Sequence, residues 1–156
     1  MPNPWDKGKG PTYSKAAGFA RKSAVGGKKP QGESILSNKL RKDLGNLFPS
    51  SLWWKNAGSE FGEAGLPDVM GCINGSFVAI EVKKGKGWFS PLQVRWLKNA
   101  EKAGAISIGL VFQTDTYIVP ISAMGTRGNR HKELWIKIEY PDGLKNIHQW
   151  RRSATL

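Results

Sequence analysis

Asn74-Gly75 separates two runs rich in strand-forming residues, VMGCI (69–73) and SFVAIEVKK (76–84). A two-residue loop between such runs predicts a tight hairpin, because both turn positions need positive φ and asparagine and glycine accept it best. The turn then sets the register: Ile73 opposes Ser76, Met70 opposes Ala79, and Asp68 opposes Glu81. Opposed side chains have Cβ atoms about 4.5–5.5 Å apart, so the two carboxylates converge on one face of the sheet. Val78, Ile80 and Val82 alternate with them and form an apolar row on the other face. Such a row is buried, so the hairpin lies inside a fold with only its polar end open.

The flanking segments supply that fold. SPLQVRWLKNAEKAG (90–104) predicts a helix ended by Gly104, and AISIGLVFQT (105–114) alternates as a strand. Residues 77–114 thus read strand, helix, strand, the pattern of a right-handed parallel crossover. Upstream, ESILSNKLRKDLGNLF (33–48) predicts a helix with Leu36, Leu40, Leu44 and Leu47 on one stripe and Pro49 beyond its end. SLWWK (51–55) predicts a short strand, with Trp53 in the core and Trp54 at an edge, and the glycine-rich 58–67 a mobile loop. YIVPI (117–121) and ELWIKIEY (133–140) are further strand candidates, while the basic HQWRRS near the C-terminus has no periodicity that decides its structure. The expected architecture is α/β, a central mixed sheet flanked by helices over residues 31–140. A basic flexible arm (1–30) precedes it, and a basic extension (141–156) follows.

Charge narrows the partner. The chain carries a formal +12, with Lys7, Lys9, Lys15, Arg21, Lys22, Lys28 and Lys29 in the first thirty residues against Asp6 alone. Such an excess suits a polyanion, and nucleic acid leads. A membrane is not expected, for there is no long apolar run and no basic amphipathic helix with an apolar face to spare. The N-terminal MPNPWDKGKG lacks the apolar stretch of a signal peptide, and Cys72 is the only cysteine, so a reducing intracellular compartment is expected. A multi-cysteine zinc site is excluded, and His131 and His148 are too far apart for a recognisable metal motif.

Like charges opposed in a sheet destabilise it. Either one carboxyl holds a proton or a divalent cation lies between Asp68 and Glu81. Lys83 favours the cation, because it projects from the same face as Glu81 two residues on. An acid pair with a cation and a neighbouring ammonium is the equipment of phosphodiester hydrolysis.

Pro67-Asp68 followed by Glu81-Val82-Lys83 resembles the PD-(D/E)XK nuclease superfamily. The continuation GKGWFSPLQVRWLKNAEKAGA is similar to the virus-type replication–repair nuclease (VRR-NUC) branch, close to archaeal Holliday-junction resolvases. The resemblance covers residues 64–112. It implies a restriction-endonuclease-like core, Mg²⁺ or Mn²⁺ ligated by Asp68, Glu81 and the Val82 carbonyl, and Lys83 as the catalytic lysine. It also implies a glutamate from the first helix; Glu33 matches and falls on the leucine stripe, with Glu60 and Glu63 as competitors. Gln93 matches a glutamine of the branch, and Ser90-x-x-Gln93 is equally a capping box, with Phe89 and Val94 as its hydrophobic staple. Lys84, Lys86, Arg95 and Lys98 are candidate phosphate contacts, with Lys28 and Lys29 from the arm, and Trp88 is a candidate for stacking on a base or wedging into a junction.

The expected function is a metal-dependent DNA endonuclease of recombination or repair, selective for branched DNA and acting as a homodimer. By the resemblance it is of phage or prokaryotic origin and works in the host cytoplasm. A restriction or homing endonuclease uses the same core, with residues 115–156 available to read bases. A noncatalytic nucleic-acid-binding protein and an RNA target stand as alternatives.

Overall fold

The computed structural model describes residues 31–56, 64–124 and 131–151. The basic arm with Lys28 and Lys29, and the loop residues Glu60 and Glu63, lie outside them. Helix α1 (Gln31–Leu47) begins two residues before the predicted start. Leu40 and Leu44 of its stripe are fully buried, and Leu36 and Leu47 pack at the margin of the same core. The strands are β1 (Ser51–Lys55), β2 (Val69–Ile73), β3 (Ser76–Lys84), β4 (Ile106–Phe112), β5 (Thr116–Pro120) and β6 (Ile136–Ile138), and helix α2 (Pro91–Lys102) connects β3 to β4.

The six strands lie in chain order across one mixed sheet. Only β3 and β4 run parallel, as a crossover through α2 requires. The hairpin has the register its turn dictates: Ile73 pairs with Ser76 and Met70 with Ala79. Asn74 and Gly75 have φ of 48° and 78°, the conformation a two-residue loop demands. The ladder ends at Val69–Ile80, which leaves Asp68 one residue beyond the paired strand.

Each face of the sheet has its own core. On one, Val78, Ile80 and Val82 meet Leu40 and Leu44 of α1. On the other, Ala79, Val111 and Val119 meet Phe89 and the α2 residues Val94 and Leu97. Trp53 packs against the first core, whereas Trp54 is 43% exposed on the edge strand.

Two segments differ from expectation. Only Ile136–Ile138 of the predicted strand 133–140 pairs, because β5 offers it just Thr116–Ile118 and Lys132–Leu134 coil into a 3₁₀ turn. Residues Asp142–Arg151, which overlap the start of HQWRRS, coil into 3₁₀ turns kinked at Asn146 and bury Leu144 and Ile147 completely in the first core. Among the described residues no helix is long and apolar enough to cross a membrane.

Candidate active site

Strand β3 outruns its hairpin partner. Glu81, Val82, Lys83 and Lys84 pair on one side with Gly109–Phe112 of β4, while the β2 ladder has already ended at Ile80. The open edge leaves alternate backbone N–H groups in need of acceptors. Two carboxylates supply them. Asp68 Oδ2 accepts the Val82 N–H at 2.8 Å, and Glu33 Oε1 accepts the Lys84 N–H at 3.2 Å. The Val82 carbonyl points to the same edge as its N–H, toward Asp68.

Glu81 and Lys83 project to the α2 side. Glu81 is fully buried, Asp68 is 3% exposed and Glu33 7%. The Lys83 ammonium lies 3.1 Å from Glu81 Oε1, and the Gln93 side-chain amide donates to that same oxygen. A buried carboxylate survives in a fold only with such charge and hydrogen-bond partners. Gln93 is held in turn by the helix cap: its Oε1 accepts the Ser90 N–H at 2.9 Å, and Ser90 Oγ accepts the Gln93 N–H at 3.2 Å. Cap and site contact are therefore made by one side chain. The staple pair Phe89 and Val94 lies in the second core.

The donors suit a hard cation. Asp68, Glu81 and the Val82 carbonyl offer oxygen only, the type that Mg²⁺ combines with water and phosphate oxygens. Among the described residues no three His, Cys, Asp or Glu side chains form a group able to hold a metal ion. Glu33, from α1, is the acceptor for the Lys84 backbone N–H at the same strand end.

The basic candidates spread outward from this point. Lys84 and Lys86 are exposed where β3 enters the 85–90 loop, and Trp88 in that loop is 36% exposed. Gly85 and Gly87, at φ of 78° and 68°, make the bend possible. Arg95 and Lys98 are on the outer face of α2, lining with Lys102 and Asn99 a shallow groove of about 400 Å³. Lys28, Lys29, Glu60 and Glu63 lie outside the described residues.

Several contacts had no signal in the sequence. Lys83 Nζ lies 5.9 Å from the Phe89 ring centroid, so the staple residue also lines the site. The Glu33–Lys84 bond joins residues 51 positions apart, and only Glu33's place on the leucine stripe hinted at burial. Away from the site, the Tyr140 hydroxyl donates to Asp43 Oδ2 at 2.5 Å. Burial first, then Asp43, pushes that phenol well above the usual tyrosine range. Burial also raises the Glu101 carboxyl.

No family model matches the chain, and no curated protein matches it in sequence. Among solved structures it is similar to that of Archaeoglobus fulgidus Hjc, a Holliday junction resolvase from an archaeal hyperthermophile. The TM-score is 0.51 and the identity 20%, over 75% of this chain and 98% of the resolvase. The fold is restriction-endonuclease-like. Its sheet and flanking helices are the architecture in which the open end of β3 gathers Asp68, Glu81 and Lys83.

Proposed function

We propose that the chain is a divalent-metal-dependent DNA endonuclease of the VRR-NUC and Holliday-junction-resolvase-like branch of the PD-(D/E)XK nucleases. One observation carries this reading. At the open end of β3, two buried carboxylates flank Val82, and the ammonium of Lys83 lies 3.1 Å from one of them. In this reading Asp68, Glu81 and the Val82 carbonyl hold Mg²⁺ or Mn²⁺. A dication bound there supplies Lewis acidity toward a phosphate oxygen.

The chain's own groups do the rest. Lys83 orients the attacking water and offsets negative charge that grows on the phosphate. Gln93 fixes the Glu81 carboxylate, and Glu33 fixes the strand end that carries Lys83. Water attacks phosphorus, the 3′-oxygen leaves, and a 5′-phosphate remains. Lys84, Lys86, Arg95 and Lys98, with Lys28 and Lys29, contact backbone phosphates, and Trp88 stacks on an unpaired base.

The preferred substrate is branched DNA, above all a four-way junction, read by shape and backbone. Symmetric cleavage needs two sites, so the working form is a homodimer. Leu52 and Trp54 on β1, 72% and 43% exposed, support a second copy as the partner of this edge strand.

The test is a cleavage panel of four-way junction, flap and random-sequence duplex in Mg²⁺ and Mn²⁺. The junction is expected to be cut fastest. Efficient cutting of one duplex sequence alone would favour the restriction or homing reading. No cleavage of any substrate would refute the enzyme.

A further inference from the structure

Glu81 stands opposite Gly109 in the parallel β3–β4 ladder. A Cβ at position 109 would lie 2.5 Å from Phe89 Cζ, 2.8 Å from Phe89 Cε1 and 3.2 Å from Met124 Cε. The bare glycine therefore forms a notch in the sheet, and the Phe89 ring, 3% exposed, fills it. The same ring has the Lys83 ammonium 5.9 Å from its centroid. Its next neighbour in the chain is Ser90, the cap of α2, from which Gln93 reaches Glu81.

One aromatic side chain thus touches the sheet beside Glu81, underlies Lys83 and anchors the helix start that presents Gln93. We infer that Phe89, seated on Gly109, is the positioning residue that sets the geometry of Lys83 and Gln93 around Glu81. The physical reason is close packing: a ring with sheet on one side and a helix start attached has no second place to sit. Its face also attracts the ammonium and holds it near the carboxylate. The catalytic consequence rests on the nuclease reading; the structural consequence does not.

The experiment compares wild type, Gly109→Ala, Phe89→Leu and the double variant Gly109→Ala/Phe89→Leu. Two signals are read: the side-chain amide resonance of Gln93 by ¹H–¹⁵N NMR without metal, and kcat and KM for junction cleavage. Gly109→Ala is expected to displace the ring, move the Gln93 resonance toward that of a solvent-exposed glutamine, and lower kcat by about tenfold or more with KM within about twofold. In the double variant the shorter leucine relieves the overlap, so the Gln93 resonance returns toward its wild-type position. Mere core packing would lower the melting temperature and leave both signals unchanged, and that result overturns the inference. If Gly109→Ala does not fold, Phe89→Leu decides alone: an unmoved Gln93 resonance with unchanged kcat overturns it. If wild type cleaves nothing, the nuclease reading falls, while the NMR comparison still decides whether Phe89 sets Gln93.

Discussion

Gln93 makes bonds of two kinds, and substitution separates them. Alanine removes both the capping-box bond to the Ser90 N–H at 2.9 Å and the donor to buried Glu81. A neutral hydrogen bond contributes about 0.5–1.5 kcal/mol and one to a charged group about 1.5–3 kcal/mol, so Gln93→Ala is expected to cost about 2–4 kcal/mol. At about 3–5 °C per kcal/mol for a domain of this size, the melting temperature falls by roughly 6–20 °C. Glutamate keeps the capping acceptor and adds a favourable first-turn charge of about 0.3–1 kcal/mol. It also loses the donor and sets a second carboxylate against fully buried Glu81. The two like charges then repel at pH 8, and the repulsion falls as acid protonates one of them. Gln93→Glu is therefore expected to be no more stable than Gln93→Ala at pH 8 and to recover at pH 5. Urea denaturation followed by circular dichroism, with chelator present, measures this. A Gln93→Glu protein as stable as wild type at pH 8 would show that Gln93 acts only as a cap.

Other expectations follow from single contacts. Tyr140→Phe keeps the edge-on packing against Phe112 but removes the hydroxyl donor to Asp43, which retains Lys39 at 3.1 Å; a loss of about 1–2 kcal/mol in urea unfolding is expected. Gly71→Ala would place a Cβ 2.5 Å from the Leu52 carbonyl and against the Trp53 ring, destabilising by about 1–3 kcal/mol or more on the same assay. Glu101 has its carboxyl raised by burial, so its contribution is present below the ordinary carboxylate pKa and lost as pH rises through the raised one; Glu101→Gln is expected to unfold slightly later than wild type at pH 7 and no later at pH 4. Lys86→Ala, at an exposed position, is expected to weaken duplex binding evenly across sequences and reduce the slope of log K against log salt by about 1, measured by fluorescence anisotropy.

The hairpin was legible because Asn74-Gly75 admits few alternatives, and its register followed from the turn alone. The cap of α2 was legible for the same local reason, since Ser90, Pro91 and Gln93 lie within four residues. The leucine stripe of α1 announced its buried face. What stayed hidden depends on contacts between distant segments. Strand 133–140 had the composition of a long strand, but strand length is set by the partner, and β5 supplies three positions. The C-terminal helix is short and polar on most sides, so Leu144 and Ile147 gave little periodic signal. At the site, the shared face of Glu81 and Lys83 was readable from the alternation of the strand. The bonds of Asp68 and Glu33 to the backbone of β3 were not, because they answer to the point where β2 stops.

The most direct test of Lys83 beside its buried acid pair is single-turnover cleavage of a four-way junction, with binding measured on the same preparations. Lys83→Ala is expected to bind the junction within about threefold of wild type, since one phosphate-distance charge is lost. It should cut at least about 100-fold more slowly, as removal of a group that stabilises developing charge does. Cutting at the wild-type rate, or a loss of cutting that only mirrors a loss of binding, would contradict the assignment.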